Sequence, residues 1–263
     1  MLRHILLSAA LLTSTAWAGS ASADIRPGTY VLQNDSGTLV VRQGKGQRRT
    51  FAIDTIGGNC HTCGVEGVLT GSKGRADPWD DTGASPACEI DFSAQGTAIT
   101  VTPLTEGACR DHCGARASFE GTYRVSPPAC TAGARQKLRN QALRWHKARR
   151  YGQAAAALQG LIAQCTGFMN WIEIDQVRND LALAQYRNGE FAQCLATLGD
   201  TRVAHVKDEA ELASGNGPVF LPPCDFDNYI AVARATWFNR ARCTDAKDSH
   251  AVRHTGTPGS SPR

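Results

Sequence analysis

Between Asp24 and Tyr123 apolar and polar positions alternate over short stretches broken by turn residues, the pattern of half-buried strands. Gly28–Gln33, Leu39–Gln43 and Arg49–Asp54 are separated by Asn34-Asp35-Ser36-Gly37 and Gly44-Lys45-Gly46, and Val65–Leu69 follows. Cys88–Phe92 and Ala98–Pro103 flank Ser-Ala-Gln-Gly-Thr, where Gly96 can supply a positive φ, so they predict a hairpin. Ala117–Tyr123 reads as a seventh strand. Residues 71–87 are rich in Gly, Pro, Asp and Ser and predict a long surface loop. Seven short strands within roughly 100 residues predict a small β-barrel or sandwich.

The period changes after Val125–Ala134, whose Pro127-Pro128 cannot continue a strand ladder. Leu138, Ala142, Trp145, Ala154, Leu158, Leu161 and Ile162 recur at helical spacing, interrupted at Arg150-Tyr151-Gly152. Val177, Leu181, Ala184, Cys194, Leu195 and Leu198 repeat the scheme, interrupted at Asn188-Gly189. A loop over 201–225 precedes a final helix, Phe226–Cys243, and residues 244–263 read as a disordered polar tail. The expected class is α+β with two segregated domains. A β domain spans 24–125, a linker 126–134 and helical hairpins 135–243.

Aligning Tyr151 with Phe191 superposes Ala142 on Ala182, Ala154 on Cys194 and Leu158 on Leu198. Small residues where helices cross and an aromatic at the turn resemble tetratricopeptide repeats, here with the inter-repeat loop lengthened by Thr166–Trp171. That resemblance implies a concave face on the first helices bearing Arg139, His146, Lys147, Asn179, Tyr186 and Arg187.

Residues 1–23 read as a secretory signal: Arg3 and His4, an apolar run over Ile5–Leu12, and cleavage near Ala23, with Ala18 the alternative. The run is far shorter than the roughly 20 residues of a bilayer span. The expected location is periplasmic or secreted, with no membrane span. Export makes the ten cysteines candidates for disulfides. Six (Cys60, Cys63, Cys88, Cys109, Cys113, Cys130) precede residue 131 and four (Cys165, Cys194, Cys224, Cys243) follow, which suggests two separately stapled halves. A bond from Cys130 would instead fix the helices against the sheet. In a hairpin stack, the end of each second helix shares an edge with the start of each first helix. This places Cys165 with Cys224 and Cys194 with Cys243, and excludes Cys165–Cys194.

The net charge of +4 is unevenly spread. Residues 135–150 carry Arg135, Lys137, Arg139, Arg144, Lys147, Arg149 and Arg150, and no carboxylate appears before Glu173. Such a face suits acidic partners, while export argues against nucleic acid.

Cys60-His61-Thr62-Cys63 is the chief chemical motif. A redox pair should open a helix, but strand-like Gly-Val-Glu-Gly-Val follows; covalent haem needs a histidine where Gly64 stands. Zinc on Cys60, Cys63, Cys109 and Cys113 would require thiolates that survive export. Asp77-Pro78-Trp79-Asp80-Asp81 lacks calcium-loop spacing. No Ser–His–Asp or phosphate-cradling motif occurs, so no catalytic residue, metal or cofactor is assigned.

Cys63 with Gly67, Cys88 with Phe92, then Cys109, Cys113-Gly114 and Gly121-Thr122-Tyr123 are similar to a β-rich domain of exported bacterial proteins of lysozyme-inhibitor-like type. The resemblance covers residues 28–124 and implies that Cys63, Cys88, Cys109 and Cys113 form the common set. Cys60 and Cys130 are then additions that could bond one another. The expected function is a non-enzymatic exported interaction or scaffold protein binding an envelope protein or peptide. The alternative is a lysozyme inhibitor or cell-wall-associated factor acting through the β domain.

Overall fold

A computed structural model of the chain describes residues 24–46, 48–78 and 85–255. Residues 1–23, read above as a secretory signal, Trp79, Asp80 and Asp81 of the acidic loop, and residues 256–263 lie outside the described residues.

Eight antiparallel strands close into a barrel in chain order. They are β1 (Gly28–Leu32), β2 (Gly37–Gln43), β3 (Arg49–Ile56), β4 (Thr62–Thr70), β5 (Lys73–Ala76), β6 (Cys88–Gln95), β7 (Ala98–Pro103) and β8 (Gly121–Arg124). Closure comes from β8, which pairs with β7 and, through Val31–Arg124 and Leu32–Tyr123, with β1. Alternation sends Leu39, Val41, Phe51, Ile53, Val65, Ile90, Phe92, Ile99 and Val101 inward, each at most 2 % exposed. Burying that set supplies most of the barrel's stability, each large side chain contributing about 2 kcal/mol.

Three expectations for this half need correction. Eight strands form rather than seven, because β5 falls in the stretch read as a loop. Its inward positions are Gly74 and Ala76, opposite the Phe51 and Phe92 rings, whose centroids lie 5.1 Å apart. A Cβ on Gly74 would come within 2.4 Å of Phe92, so the packing demands the residue that hides the strand. The last strand begins at Gly121 rather than Ala117; Ala117 and Phe119 are buried in irregular chain. A short helix, α1 (Glu106–Arg110), also forms where no helical period is visible.

The helical half contains α2 (Ala132–Lys147), α3 (Tyr151–Cys165), α4 (Trp171–Arg187), α5 (Phe191–Gly199), α6 (Glu209–Ser214) and α7 (Pro223–Thr255). Side chains of Thr131 and Asn170 cap α2 and α4 by accepting from the N–H groups of Ala134 and Glu173. Arg135, 4 % exposed, grips both carboxylate oxygens of Glu173 at 2.9 and 2.8 Å and donates to the Cys130 carbonyl at 2.7 Å. This fork locks the starts of α2 and α4 together. The final helix runs past Cys243 to Thr255, so residues 244–255 are helix and not tail. Although that stretch lacks an apolar stripe, it propagates from a packed helix, and His250 meets Phe191 at 6.0 Å. The supposed loop over 201–225 holds α6, capped by Asp208.

Five disulfides bind the fold and fit an oxidising, exported environment. Cys63–Cys113 and Cys88–Cys109 clamp α1 and its following turn over the barrel end. Cys194–Cys243 ties α5 to α7. Cys165 is joined to Cys130, not to Cys224. The shared-edge argument does not decide the partner, because α3 lies against α2 and the start of α2 is nearer than the start of α7. Cys224 is bonded to Cys60 in the barrel, which overturns both a Cys60–Cys130 bond and two separately stapled halves. Cys60, Cys63, Cys109 and Cys113 thus belong to three different disulfides, leaving no thiolate for zinc.

The barrel also caps α7. Asn59, in left-handed backbone at φ 57°, accepts from the Cys224 N–H through Oδ1 at 3.0 Å. Its own N–H donates to Asp225 Oδ2 at 3.0 Å. One domain thereby completes the helix terminus of the other.

Candidate functional site

The two inter-helix turns repeat in detail. Arg149 and Gly189 both adopt positive φ, and Arg150 and Glu190 both take φ −90°, ψ 59° immediately before the next helix. His146 then meets Tyr151 with ring centroids 5.2 Å apart, as Tyr186 meets Phe191 at 5.9 Å. Matched turns set α2 and α4 side by side over α3. The crossing residues are small, Ala142, Ala154 and Ala184, so a groove of about 410 Å³ stays open above them.

Leu143, 51 % exposed, and Leu183 form the apolar walls of this groove, with Leu158 at its floor. Arg139 lies in it but is not a free cation: it donates to Asp180 Oδ2 at 2.9 Å and to Gln176 Oε1 at 3.3 Å, bridging α2 to α4. His146 lines the same groove. Its Nε2 is buried and has no hydrogen-bond partner among the described residues. Burial, and then the positive charge of Arg187, push its pKa below the usual histidine value, while Asp180 pulls the other way. The ring is therefore mainly neutral at pH 7, poised to accept or donate one hydrogen bond.

Arg187 and Lys147 are exposed, and neither is paired with a carboxylate among the described residues. The Arg187 guanidinium lies 5.8 Å from the Tyr186 ring. From α7 Arg242 reaches the same ring at 4.5 Å and the ring of Phe238, 62 % exposed, at 5.2 Å. Phe238 and Arg242 carried no repeat signal; their place beside Tyr186 follows only from the packing of α7 on α4 and α5.

Asn179 does not belong to the groove and is corrected. It is 6 % exposed beneath α7, donating to Thr236 Oγ1 at 2.9 Å and accepting from Asn239 at 3.1 Å. Beside it Asp175, 2 % exposed, accepts from the Tyr229 hydroxyl at 2.6 Å, the Arg202 N–H at 2.8 Å and Arg178 at 2.9 Å. The positions equivalent to those that open the first hairpin are thus used by the second to dock the last helix.

A second cleft, about 800 Å³, runs between barrel and helices beside Ile56, Trp171, Ile172 and Cys60, with the Arg202 guanidinium 4.5 Å above the Trp171 ring. Among the described residues no cluster of three or more His, Cys, Asp or Glu could hold a metal ion. No described helix is long and apolar enough to cross a membrane. In comparisons with known proteins, no family model matches this chain, and neither a curated protein nor a solved structure does.

Proposed function

We propose that this chain is an exported, non-enzymatic interaction protein whose helical half, a tetratricopeptide-like stack, holds an extended peptide bearing acidic groups or a free carboxylate. The observation that supports this most is the groove between α2 and α4. It has an apolar floor and walls at Leu143, Leu158 and Leu183. The exposed cations Lys147 and Arg187 stand outside that lining, with the Arg187 charge acting on His146. An apolar trough beside cations favours a peptide that pairs one buried apolar side chain with one or two carboxylates. His146 adds a positioned hydrogen-bonding group within that trough.

The test is binding of fluorescent peptides from an acidic-ended library, read by polarisation. The double variant Lys147→Glu/Arg187→Glu should weaken the best binder by at least roughly tenfold, since each exposed pair contributes up to about 1 kcal/mol and reversal adds repulsion. Leu143→Asp should do the same without changing the helical circular dichroism. Peptide binding that neither variant alters removes the groove from consideration.

A further inference from the structure

The bond between Cys60 and Cys224 differs from the other four in its surroundings. Both its cysteines are partly exposed, whereas every other bond contains at least one cysteine no more than 2 % exposed. Among the described residues it is also the one disulfide that crosses from the barrel to the helices. The open cleft runs beside Cys60, which leaves room for an incoming thiol.

The two sulfurs are not equivalent. Cys224 lies in the first turn of α7, a helix of 33 residues, where the positive end of the helix dipole favours a thiolate over a thiol. Asn228, one turn on, donates to Cys60 Sγ at 3.2 Å and to Cys224 Sγ at 3.5 Å. The neighbouring Asp225 carboxylate is already engaged by the Asn59 N–H. Asn228 reaches both sulfurs and does not separate them. The helix terminus makes Cys224 the better leaving group, and Cys60, which lines the cleft, carries the sulfur an external thiolate attacks.

We propose that Cys60–Cys224 is a site of reversible thiol–disulfide exchange with an exported dithiol oxidoreductase, and that its redox state sets whether the barrel is clamped to α7. In the first step a partner thiolate forms a bond to Cys60 Sγ. The Cys60–Cys224 bond breaks, and Cys224 leaves with the electron pair and takes a proton. The partner's second thiolate then attacks the mixed disulfide and releases Cys60, also protonated. Two electrons and two protons pass to this chain, and the partner ends as a disulfide. Reoxidation is the reverse. Reduction leaves Asn59 and Cys60, both in left-handed backbone, without the covalent tie that holds them against α7. The Asn59 cap then separates and the cleft widens.

The experiment uses the full chain with graded dithiothreitol, and separately with thioredoxin as a dithiol-protein probe. Alkylation and peptide mapping report which cysteines open, and small-angle scattering reports the radius of gyration. Cys60 and Cys224 should label at least tenfold faster than the other eight cysteines, with a rise in radius of gyration and unchanged far-ultraviolet circular dichroism. The Cys60→Ser/Cys224→Ser variant should show the larger radius without reductant. If that variant does not fold, the wild-type labelling order and scattering decide. Prior labelling of another pair, simultaneous labelling of all ten, or labelling with no change in radius overturns the proposal.

Discussion

Arg149 and Gly189 hold the same left-handed backbone conformation, φ 58° and 79°, at the same point of two successive helical hairpins. A glycine adopts that conformation freely, and an arginine does so against steric resistance of about 1 kcal/mol. One turn is therefore relaxed and the other is strained. Gly189→Ala should lower stability by about 1 kcal/mol. Arg149→Gly should be neutral or raise it by up to about 1 kcal/mol, the relief being partly offset by added chain entropy. Thermal melts of both variants check this, and a neutral Gly189→Ala would contradict the shared turn geometry.

The Asp175 network makes a second prediction. Tyr229→Phe removes the hydroxyl donor at 2.6 Å and leaves a carboxylate that is 2 % exposed short of a partner. The expected loss is about 1–3 kcal/mol. Burial and the Asp175 hydrogen bond both raise the Tyr229 pKa, so the donor stays protonated at any moderately alkaline pH. Urea melts at pH 7 measure the loss; a change below a few tenths of a kcal/mol would mean that water replaces the hydroxyl.

His146 links the groove to pH. Its folded pKa lies below its unfolded value, so folding favours the neutral ring. The stability it contributes is complete above the unfolded value of about 6.5 and is lost as pH falls through the folded pKa. Titration of the ring proton resonances should place the midpoint below 6.5. Arg187→Gln should raise the midpoint and Asp180→Asn should lower it, because the two charges act in opposite directions. A midpoint indifferent to both would place the ring outside the groove.

Gly67 tests the barrel. A Cβ there would stand 2.1 Å from the Arg75 carbonyl oxygen and 2.7 Å from its carbon, both backbone atoms of the paired strand β5. Gly67→Ala should therefore open the β4–β5 ladder and lose at least about 2 kcal/mol. Gly107, in α1 with open space around it, is the control: Gly107→Ala should be neutral or slightly stabilising. Equal melting of the two variants would refute the close strand approach.

The parts of the fold legible in the sequence are those in which large side chains carry the period. Phe51, Ile53, Ile90 and Phe92 announce their strands, and the Ala142–Ala154 and Ala182–Cys194 crossings announce the hairpins. Gly74 and Ala76 form an equally well-paired strand but bury nothing large, so β5 left no trace. The cysteine pattern limits which helix ends share an edge, but it cannot rank distances along that edge. For that reason the edge argument points Cys165 to Cys224, although Cys130 lies nearer. Arg139 and His146 line one groove together with Leu143, which the repeat alignment does not single out; Lys147 and Arg187 stand outside that lining, and the Arg187 charge acts on His146. Asn179 packs under α7 instead, because no local pattern reveals where a terminal helix will lie.

The closed barrel has a consequence for encounters. Each strand finds neighbours on both sides, and β8 returns to β1, so the described sheet presents no free edge of N–H and C=O groups. A visiting segment cannot extend it as a further strand, and the same closure guards this half against sheet-mediated self-association. Any partner must be held by side chains, and the helices offer the troughs in which side chains can be gripped.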